Sequence, residues 1–291
     1  MIAYILLFLT VVIWGWSFVA TKLCLGYLTP LELMGIRFVV GLPIMIAIVR
    51  ARNVKFEFNG RWRGLILGSI ILTAHILIQI TGIKYTSATN TGWLVAVIPL
   101  ITAVLAFFIL REKISRNAIT GIVVATVGIF LLISKGELTG IGWLSSVGDW
   151  LVLISAHTWA LYTIVTRDLS RDCNPLAVTA VILIGPTIVS AVSLILFADM
   201  SKFLNLPTDA FIALLFLTIL GTAVAHWFWQ EGVARIGAAR AAIFLYLIPL
   251  ATTGLAVPYL GESFGLFTAL GGILVLFGVW IAQRKIVRDR S

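Results

Sequence analysis

The feature that most limits the fold of this chain is a series of apolar runs, each about 20 residues long. A helical run of this length matches the hydrocarbon thickness of a bilayer. The chain is 60% hydrophobic and 11% charged, which is more apolar surface than a soluble core can bury. The runs lie at about 2–22, 31–49, 64–83, 87–110, 116–134, 148–166, 175–197, 210–231, 238–260 and 265–283. We therefore predict an all-α membrane protein with ten transmembrane helices.

The basic residues are distributed unevenly between alternate connections. If residue 1 lies in the cytoplasm, the cytoplasmic segments hold 16 of the 21 Lys and Arg residues. The opposite side holds only Lys22, Lys84, Lys135 and Lys202, and Arg37 lies inside a predicted helix. This bias predicts that both termini are cytoplasmic. The net charge of +9 then reflects orientation, and we expect the lipid bilayer, not nucleic acid, as the partner.

The chain also contains an internal repeat. Residues 82–132 match residues 232–282 at an offset of 150 without a gap, and Pro99 overlies Pro249 in that alignment. The first two helices of each half match more weakly at an offset of 145. Internal repeats in a membrane protein are typical of transporters, whose substrate site lies where the repeats meet.

The parity of the repeat predicts its arrangement. Each half holds five predicted helices, and because five is odd, the second copy enters the membrane from the opposite side. We therefore predict a 5+5 inverted repeat. The copies are expected at 1–134 and 148–285, with a connection at 135–147 and a basic cytoplasmic tail at 286–291.

A polar pair recurs in the third helix of each half. His75 and Gln79 are four residues apart, as are His226 and Gln230, so each pair shares one helical face. Polar groups inside a spanning helix must face protein or water. They either line a central cavity, which the recurrence favours, or form interhelical hydrogen bonds.

Aromatic side chains also recur at mid-helix depth. Trp14, Trp93, Trp159, Trp227 and Phe244 lie at mid-helix depth, and an interfacial belt does not explain Trp14 or Trp159, each about twelve residues into its helix. These rings either fill the core or form the wall of a cavity that binds aromatic or cationic ligands.

Two prolines and one arginine complete the set of unusual residues inside the helices. Pro99 and Pro249 favour kinks in symmetry-related helices, which are either hinges or purely structural bends. Arg37 has Ile182 as its repeat counterpart, and we expect it to pack and snorkel beside Glu32 rather than to contact substrate.

No enzyme motif stands out in the sequence. It contains no HExxH, GxSxG or phosphate-binding glycine loop, and no Asp or Glu lies at predicted mid-membrane depth. We expect no metal, no cofactor and no catalytic activity. A membrane-embedded enzyme acting on lipids remains the alternative from another class, with only scattered histidines to support it.

Several motifs resemble one family of transporters. They are Trp14-Gly15-Trp16-Ser17-Phe18 followed by Lys22, Arg37-Phe38, and the spacings from Pro99 to Glu112 and from Pro249 to Glu262. In their order and repetition, these motifs are similar to the EamA branch of the drug/metabolite transporter superfamily, over essentially the whole chain.

The resemblance implies a multi-pass exporter in a prokaryotic (inner) membrane, acting on amino acids or related compounds by alternating access and functional as a monomer. It implies that the cavity is lined by Trp14, Ser17, His75, Gln79, Trp93, Trp159, Trp227 and Phe244. Gating or hinge roles are expected for Pro99, Pro249, His226 and Gln230. The main alternative is an antiporter of cationic drugs or quaternary ammonium compounds, which would favour a buried carboxylate.

Overall fold

Every predicted apolar run coincides with a helix. The computed structural model describes residues 1–58, 60–111, 116–134, 146–260 and 266–283. We number the long helices of this part of the chain in order: α1 Ile2–Cys24, α2 Pro30–Ala51, α3 Trp62–Tyr85, α4 Ala88–Ile109, α5 Arg116–Ser134, α6 Val147–Asp172, α7 Pro175–Phe197, α8 Thr208–Ile236, α9 Ala238–Tyr259 and α10 Leu266–Gln283. A short helix, Met200–Leu204, lies between α7 and α8.

The predicted all-α membrane fold is confirmed, while the number of spans stays a prediction. Seven helices are long and apolar enough to cross a membrane: α1, α2, α3, α4, α7, α8 and α9. That α5, α6 and α10 also cross, in two sets of five, is not tested by this criterion. Glu112, Glu262, residues 135–145 of the predicted connection and the tail at 286–291 lie outside the described residues.

The start of α2 shows how a local motif determines a charge pairing. Thr29 and Glu32 form a capping box, in which each side chain accepts a hydrogen bond from the other residue's backbone N–H. The buried Glu32 carboxylate also pairs with Lys202 Nζ at 2.9 Å. The expected association of Arg37 with Glu32 is therefore wrong, because Lys202 and the capping box already occupy this carboxylate.

Two helices are interrupted at equivalent places. In α4 a 3₁₀ segment, Val95–Val97, precedes Pro99, and in α9 the segment Ile243–Leu247 precedes Pro249. A new α-helical segment begins one residue before Pro99. A proline in a first turn lacks only an N–H that would have no helical partner there, so this break removes the usual cost of a mid-helix proline.

The helix contacts follow the symmetry that an inverted repeat predicts. Helix α1 packs against α8 and α9, while α6 packs against α3 and α4. The remaining close pairs are α2 with α7 and α5 with α10. Exchanging the two predicted sets of five helices turns the α1 contacts into the α6 contacts and leaves the other two pairs unchanged. The centre of the molecule is thus built by α1 and α6, each of which crosses the opposite set.

Glycines hold α5 and α10 in close contact. A Cβ atom on Gly278 would lie 2.6 Å from the backbone N of Ala125, and one on Gly128 would lie 2.7 Å from the carbonyl O of Gly271. Small residues at such a seam let helix backbones approach closely in a membrane, where van der Waals packing drives association.

We predict that Gly278→Ala lowers stability, because the new methyl group forces α5 and α10 apart at a cost of about 1–3 kcal/mol. Thermal unfolding of the purified protein in detergent would show a lower Tm. Gly254→Ala is the matched control, because a Cβ there meets nothing within 4 Å. An equal Tm for the two variants would contradict close packing at this seam.

Candidate functional site

A central cavity lies among α1, α2, α3, α4, α6, α8 and α9. It offers about 50 Å³ to the centres of water-sized molecules, enough for about four waters at ~10–15 Å³ each. Five of the predicted substrate-binding residues line it: Trp14, Ser17, His75, Gln79 and Trp159. His226, predicted for the gate, lines it as well.

Much of the cavity wall consists of repeat-related pairs. These pairs are Trp14 with Trp159 at an offset of 145, Val95 with Leu245 and Ile98 with Ile248 at an offset of 150, and His75 with His226 at an offset of 151. The last two pairs belong to the breaks that precede Pro99 and Pro249. The prolines therefore lie directly beside the cavity, which occupies the meeting point of the two copies.

A cluster of rings forms the aromatic part of the wall. The Trp14 and Trp159 rings meet edge to face with centroids 4.8 Å apart, and His75 lies 4.9 Å from Trp159. His226 lies 5.5 Å from Trp14, and Trp229 packs behind both tryptophans at 5.5 and 5.7 Å. Such contacts fix the ring orientations and leave an apolar, π-rich surface toward the cavity.

A π-helical segment of α8 positions His226. Within Leu217–Val224 the backbone is π-helical, and the carbonyl of Gly221 accepts hydrogen bonds from His226 Nδ1 at 3.1 Å and Trp14 Nε1 at 3.3 Å. A Cβ on Gly221 would lie only 3.0 Å from Ser17 Oγ, so glycine permits this approach of α8 to α1. Sequence reasoning missed this glycine, because π-helical turns, which often occur at functional sites, have no simple residue signature.

His75 is held by α6. Its Nδ1 atom lies 2.9 Å from the Ser155 carbonyl and 3.2 Å from Thr158 Oγ1. Because a carbonyl can only accept, Nδ1 carries the proton in the neutral ring, and the same argument applies to His226 at Gly221. In both neutral histidines Nε2 is therefore the hydrogen-bond acceptor.

The cavity is closed toward the end of the helices that carries most of the basic loop residues, here called the basic end. Buried Gln230 donates to the Tyr162 hydroxyl at 2.6 Å and accepts from Ser170 Oγ, which joins α8 to α6. Below this contact, Arg61 at the start of α3 pairs with Asp172 at the end of α6 at 2.7 Å. Gln230 thus lies in this closure and not in the cavity.

A separate network joins helices at the opposite end. Lys22 Nζ donates to the carbonyls of Ile83 at 3.0 Å and of Thr86 at 2.5 Å, beyond the last turn of α3. The Thr86 hydroxyl in turn donates to the Asp149 carboxylate at the start of α6. A lysine at the carboxyl end of a helix satisfies carbonyls that have no helical partner.

The two copies differ in the residue that lies beside the glutamine of each polar pair. Ser17 in α1 corresponds to Tyr162 in α6 at the repeat offset of 145, and Gln79 corresponds to Gln230 at an offset of 151. The large Tyr162 ring fills its place and bonds to Gln230, whereas the small Ser17 side chain leaves space beside Gln79. This difference makes the cavity extend from mid-depth away from the basic end, toward Thr21 and Ile83.

Three predicted cavity residues lie elsewhere. Buried Trp93 belongs to a second apolar cluster, together with its repeat counterpart Ile243. Trp227 is partly buried, with the Arg52 guanidinium 4.7 Å from its ring. Phe244 packs against Tyr4, with centroids 5.7 Å apart. None of these three is among the residues that line the cavity in the described part of the chain.

Arg37 is the cavity residue to which sequence reasoning gave too little weight. Its side chain is 6% exposed, and its Nε donates to Thr222 Oγ1 at 3.3 Å. Arg37 lines the cavity together with Ser17 and His226. The signal available in the sequence was a full charge inside an apolar helix, which marks a functional site in membrane proteins. Within the described residues, no group of three His, Cys, Asp or Glu residues could hold a metal ion.

Comparison with known proteins identifies the group of proteins that this chain resembles. The model of the EamA-like transporter family matches residues 1–134 and 146–283. An uncharacterized transporter, YyaM of Bacillus subtilis, is 28% identical, over 97% of this chain and 94% of its own length. A probable amino-acid metabolite efflux pump of Salmonella typhimurium is 26% identical, over 94% and 92% respectively. One solved crystal structure shares the fold, with a TM-score of 0.79 and 20% identity over 99% of both chains.

We predict that Tyr162→Phe loosens the closure at the basic end, because it removes the hydroxyl that binds Gln230. The net loss of one hydrogen bond, about 0.5–1.5 kcal/mol, would raise the open population roughly two- to tenfold. Cys173, at the end of α6, reports this opening, since burial raises the pKa of its thiol and slows its reaction with maleimides. Its labelling rate should rise by that factor in detergent-purified protein, measured by mass spectrometry.

Two comparisons make this experiment specific. Cys24 is fully buried near the opposite end, so its labelling rate should stay constant. Tyr27→Phe is the control variant, because this tyrosine is 49% exposed and distant in the chain from the closure. Equal acceleration at both cysteines would indicate general loosening and would contradict a local role for Tyr162.

Proposed function

The chain belongs to the EamA-like transporter family, and from that premise we propose that it exports small metabolites, namely amino acids or related compounds. The substrate binds in the central cavity and crosses the membrane unchanged, by alternating access between the two copies. No cofactor takes part, and one copy of the chain suffices. The observation that carries this proposal is a central cavity, about half of whose lining residues form repeat-related pairs, with the contact between Tyr162 and Gln230 closing it toward the basic end.

Transport requires the two ends to close in turn. In the conformation described here, the contact between Tyr162 and Gln230 closes the basic end, and the cavity extends the other way. Its present volume admits water and not a metabolite, so substrate entry needs movement of the surrounding helices. The breaks before Pro99 and Pro249 supply the hinges, since 3₁₀ segments between α-helical segments bend with little loss of hydrogen bonding.

The cavity favours amino-acid-like compounds over cationic drugs. Trp14 and Trp159 offer apolar faces for a side chain, and a relative named as a probable amino-acid metabolite efflux pump covers the same length of chain. An exporter of cations would favour a carboxylate in its site. The described lining carries none, and its full charge is the Arg37 cation.

The orientation in the membrane follows from charge. The basic end carries Arg50, Arg52, Arg61 and Arg171 among others, and this charge bias supports our proposal that this end and both termini lie in the cytoplasm of a prokaryotic cell. The cavity then extends toward the outside in this conformation.

We predict that Trp159→Ala reduces counterflow of a labelled amino acid in proteoliposomes about tenfold, because it removes the ring at the centre of the cavity wall. Trp150→Ala is the matched control on the same helix, since Trp150 is 57% exposed near the helix start. The experiment uses a panel of the twenty common amino acids and their deaminated derivatives. Absence of flux for every compound would overturn the proposed function, and equal loss in both variants would remove Trp159 from the site.

We predict opposite labelling of two introduced cysteines in intact cells. In a variant with Cys24 and Cys173 replaced by Ala, Lys55→Cys should resist a membrane-impermeant maleimide, because its loop is cytoplasmic. Asn205→Cys should react within minutes, because its loop faces outward. Both positions are exposed, so accessibility alone does not separate them. The reverse pattern would overturn the orientation.

A further inference from the structure

Arg37 is a buried cation that has no ionic partner among the residues that the structure describes. Its guanidinium donates to Thr222 Oγ1, and in the described part of the chain no carboxylate lies within 4.0 Å of it. Glu32, one turn away in α2, is already paired with Lys202. Removing a cation from water costs several kcal/mol unless an anion compensates it. Because α2 presents this residue to the cavity, the compensating anion can come from a bound molecule.

Two further polar groups, on residues that line the same cavity, have no hydrogen-bond partner among the residues that the structure describes. They are the indole N–H of Trp159, which is 4% exposed, and Nε2 of His226, which is 3% exposed. Buried polar groups are nearly always paired, so an orphaned group on a residue that lines a cavity points to a ligand. The Trp159 N–H can only donate, as can the Arg37 guanidinium. These two donors would therefore bind a hydrogen-bond acceptor on the ligand.

The charge of the cavity selects the charge of its ligand. Arg37 is the one full charge among the lining residues that the structure describes, and His75 and His226 satisfy carbonyls as neutral rings. The cavity thus carries a net charge of about +1 in a low-dielectric setting. A monoanion neutralises that charge. A zwitterion would leave it uncompensated and would place its ammonium group where the described lining offers no carboxylate.

We propose that the substrates are organic monoanions, specifically carboxylates with a flat apolar body, and that Arg37 together with the Trp159 N–H receives the carboxylate. The apolar body lies against the Trp14 ring, and His226 Nε2 accepts a hydrogen bond from a hydroxyl or N–H of the ligand. Among compounds related to amino acids, the deaminated carboxylates are therefore preferred over the amino acids themselves. This inference rests on the proposed function, in that it takes the central cavity as the transport site.

Three compounds that share a phenylethyl group test the charge preference. They are 3-phenylpropanoate, an anion; L-phenylalanine, a zwitterion; and 2-phenylethylamine, a cation. Binding to the purified protein is measured by quenching of tryptophan fluorescence, and transport by counterflow in proteoliposomes. We expect 3-phenylpropanoate to bind at least about tenfold more tightly than L-phenylalanine, and 2-phenylethylamine to bind more weakly than either, as charge balance in a desolvated site requires.

Variants connect the preference to the named groups. Arg37→Gln should abolish the advantage of the anion, Arg37→Lys should retain part of it, and the exposed Arg63→Gln should leave it unchanged. If Arg37→Gln does not fold, Trp159→Phe serves instead, since it keeps a ring and removes only the N–H donor. That variant should weaken 3-phenylpropanoate binding several-fold without affecting L-phenylalanine.

The outcomes separate this inference from the proposed function. Failure of 3-phenylpropanoate to bind, or tighter binding of L-phenylalanine, overturns the monoanion preference whatever is transported. An anion preference that survives Arg37→Gln or Trp159→Phe overturns the assignment to these residues. Counterflow of L-phenylalanine that does not depend on Arg37 would support the proposed transport function and would contradict only the monoanion preference.

Discussion

The need to pair polar groups away from lipid governs this structure. No water reaches the hydrocarbon region to satisfy an exposed backbone or a charged side chain, so irregular backbone survives there only inside the protein or beside a water-filled space. The 3₁₀ segments before Pro99 and Pro249 border the central cavity, and the π-helical segment of α8 holds two residues of its wall, Trp14 and His226, through the Gly221 carbonyl. The same constraint gathers His75, His226 and Arg37 at that place, because each would be costly elsewhere in the bundle.

The repeat explains why the cavity exists, and departures from it explain why the cavity can be selective. Paired residues such as Trp14 and Trp159 build a wall that either copy could form. Arg37 has Ile182 as its counterpart, and this isoleucine is fully buried away from the cavity. A single charge near a symmetry axis gives the site one polar side, which a symmetric pair of arginines would not. Directional binding of a substrate with one charged end depends on that difference.

The sequence predicts the helices well and the site only in part. Apolar length places all ten helical segments, and the recurrence of Trp14, Trp159, His75 and His226 selects cavity residues. Trp93 and Phe244 fail to reach the cavity because depth along a helix does not tell which face a ring occupies. The pairing of Glu32 with Lys202 depends on a distant connection between α7 and α8, which periodicity cannot reveal.

The resting conformation follows from one further difference between the copies. In a transporter with two equal copies, the closures toward the two sides would have equal strength, and neither state would dominate. Here Tyr162 fills the space on one side and bonds to Gln230, while Ser17 leaves the equivalent place beside Gln79 open. The net value of one such hydrogen bond is about 0.5–1.5 kcal/mol, enough to favour one state several-fold without trapping it. A substrate that bridges Arg37 and the aromatic wall, as we propose, would supply a comparable free energy. The ligand-bound protein and the ligand-free protein can therefore favour different conformations, which is the condition for alternating access.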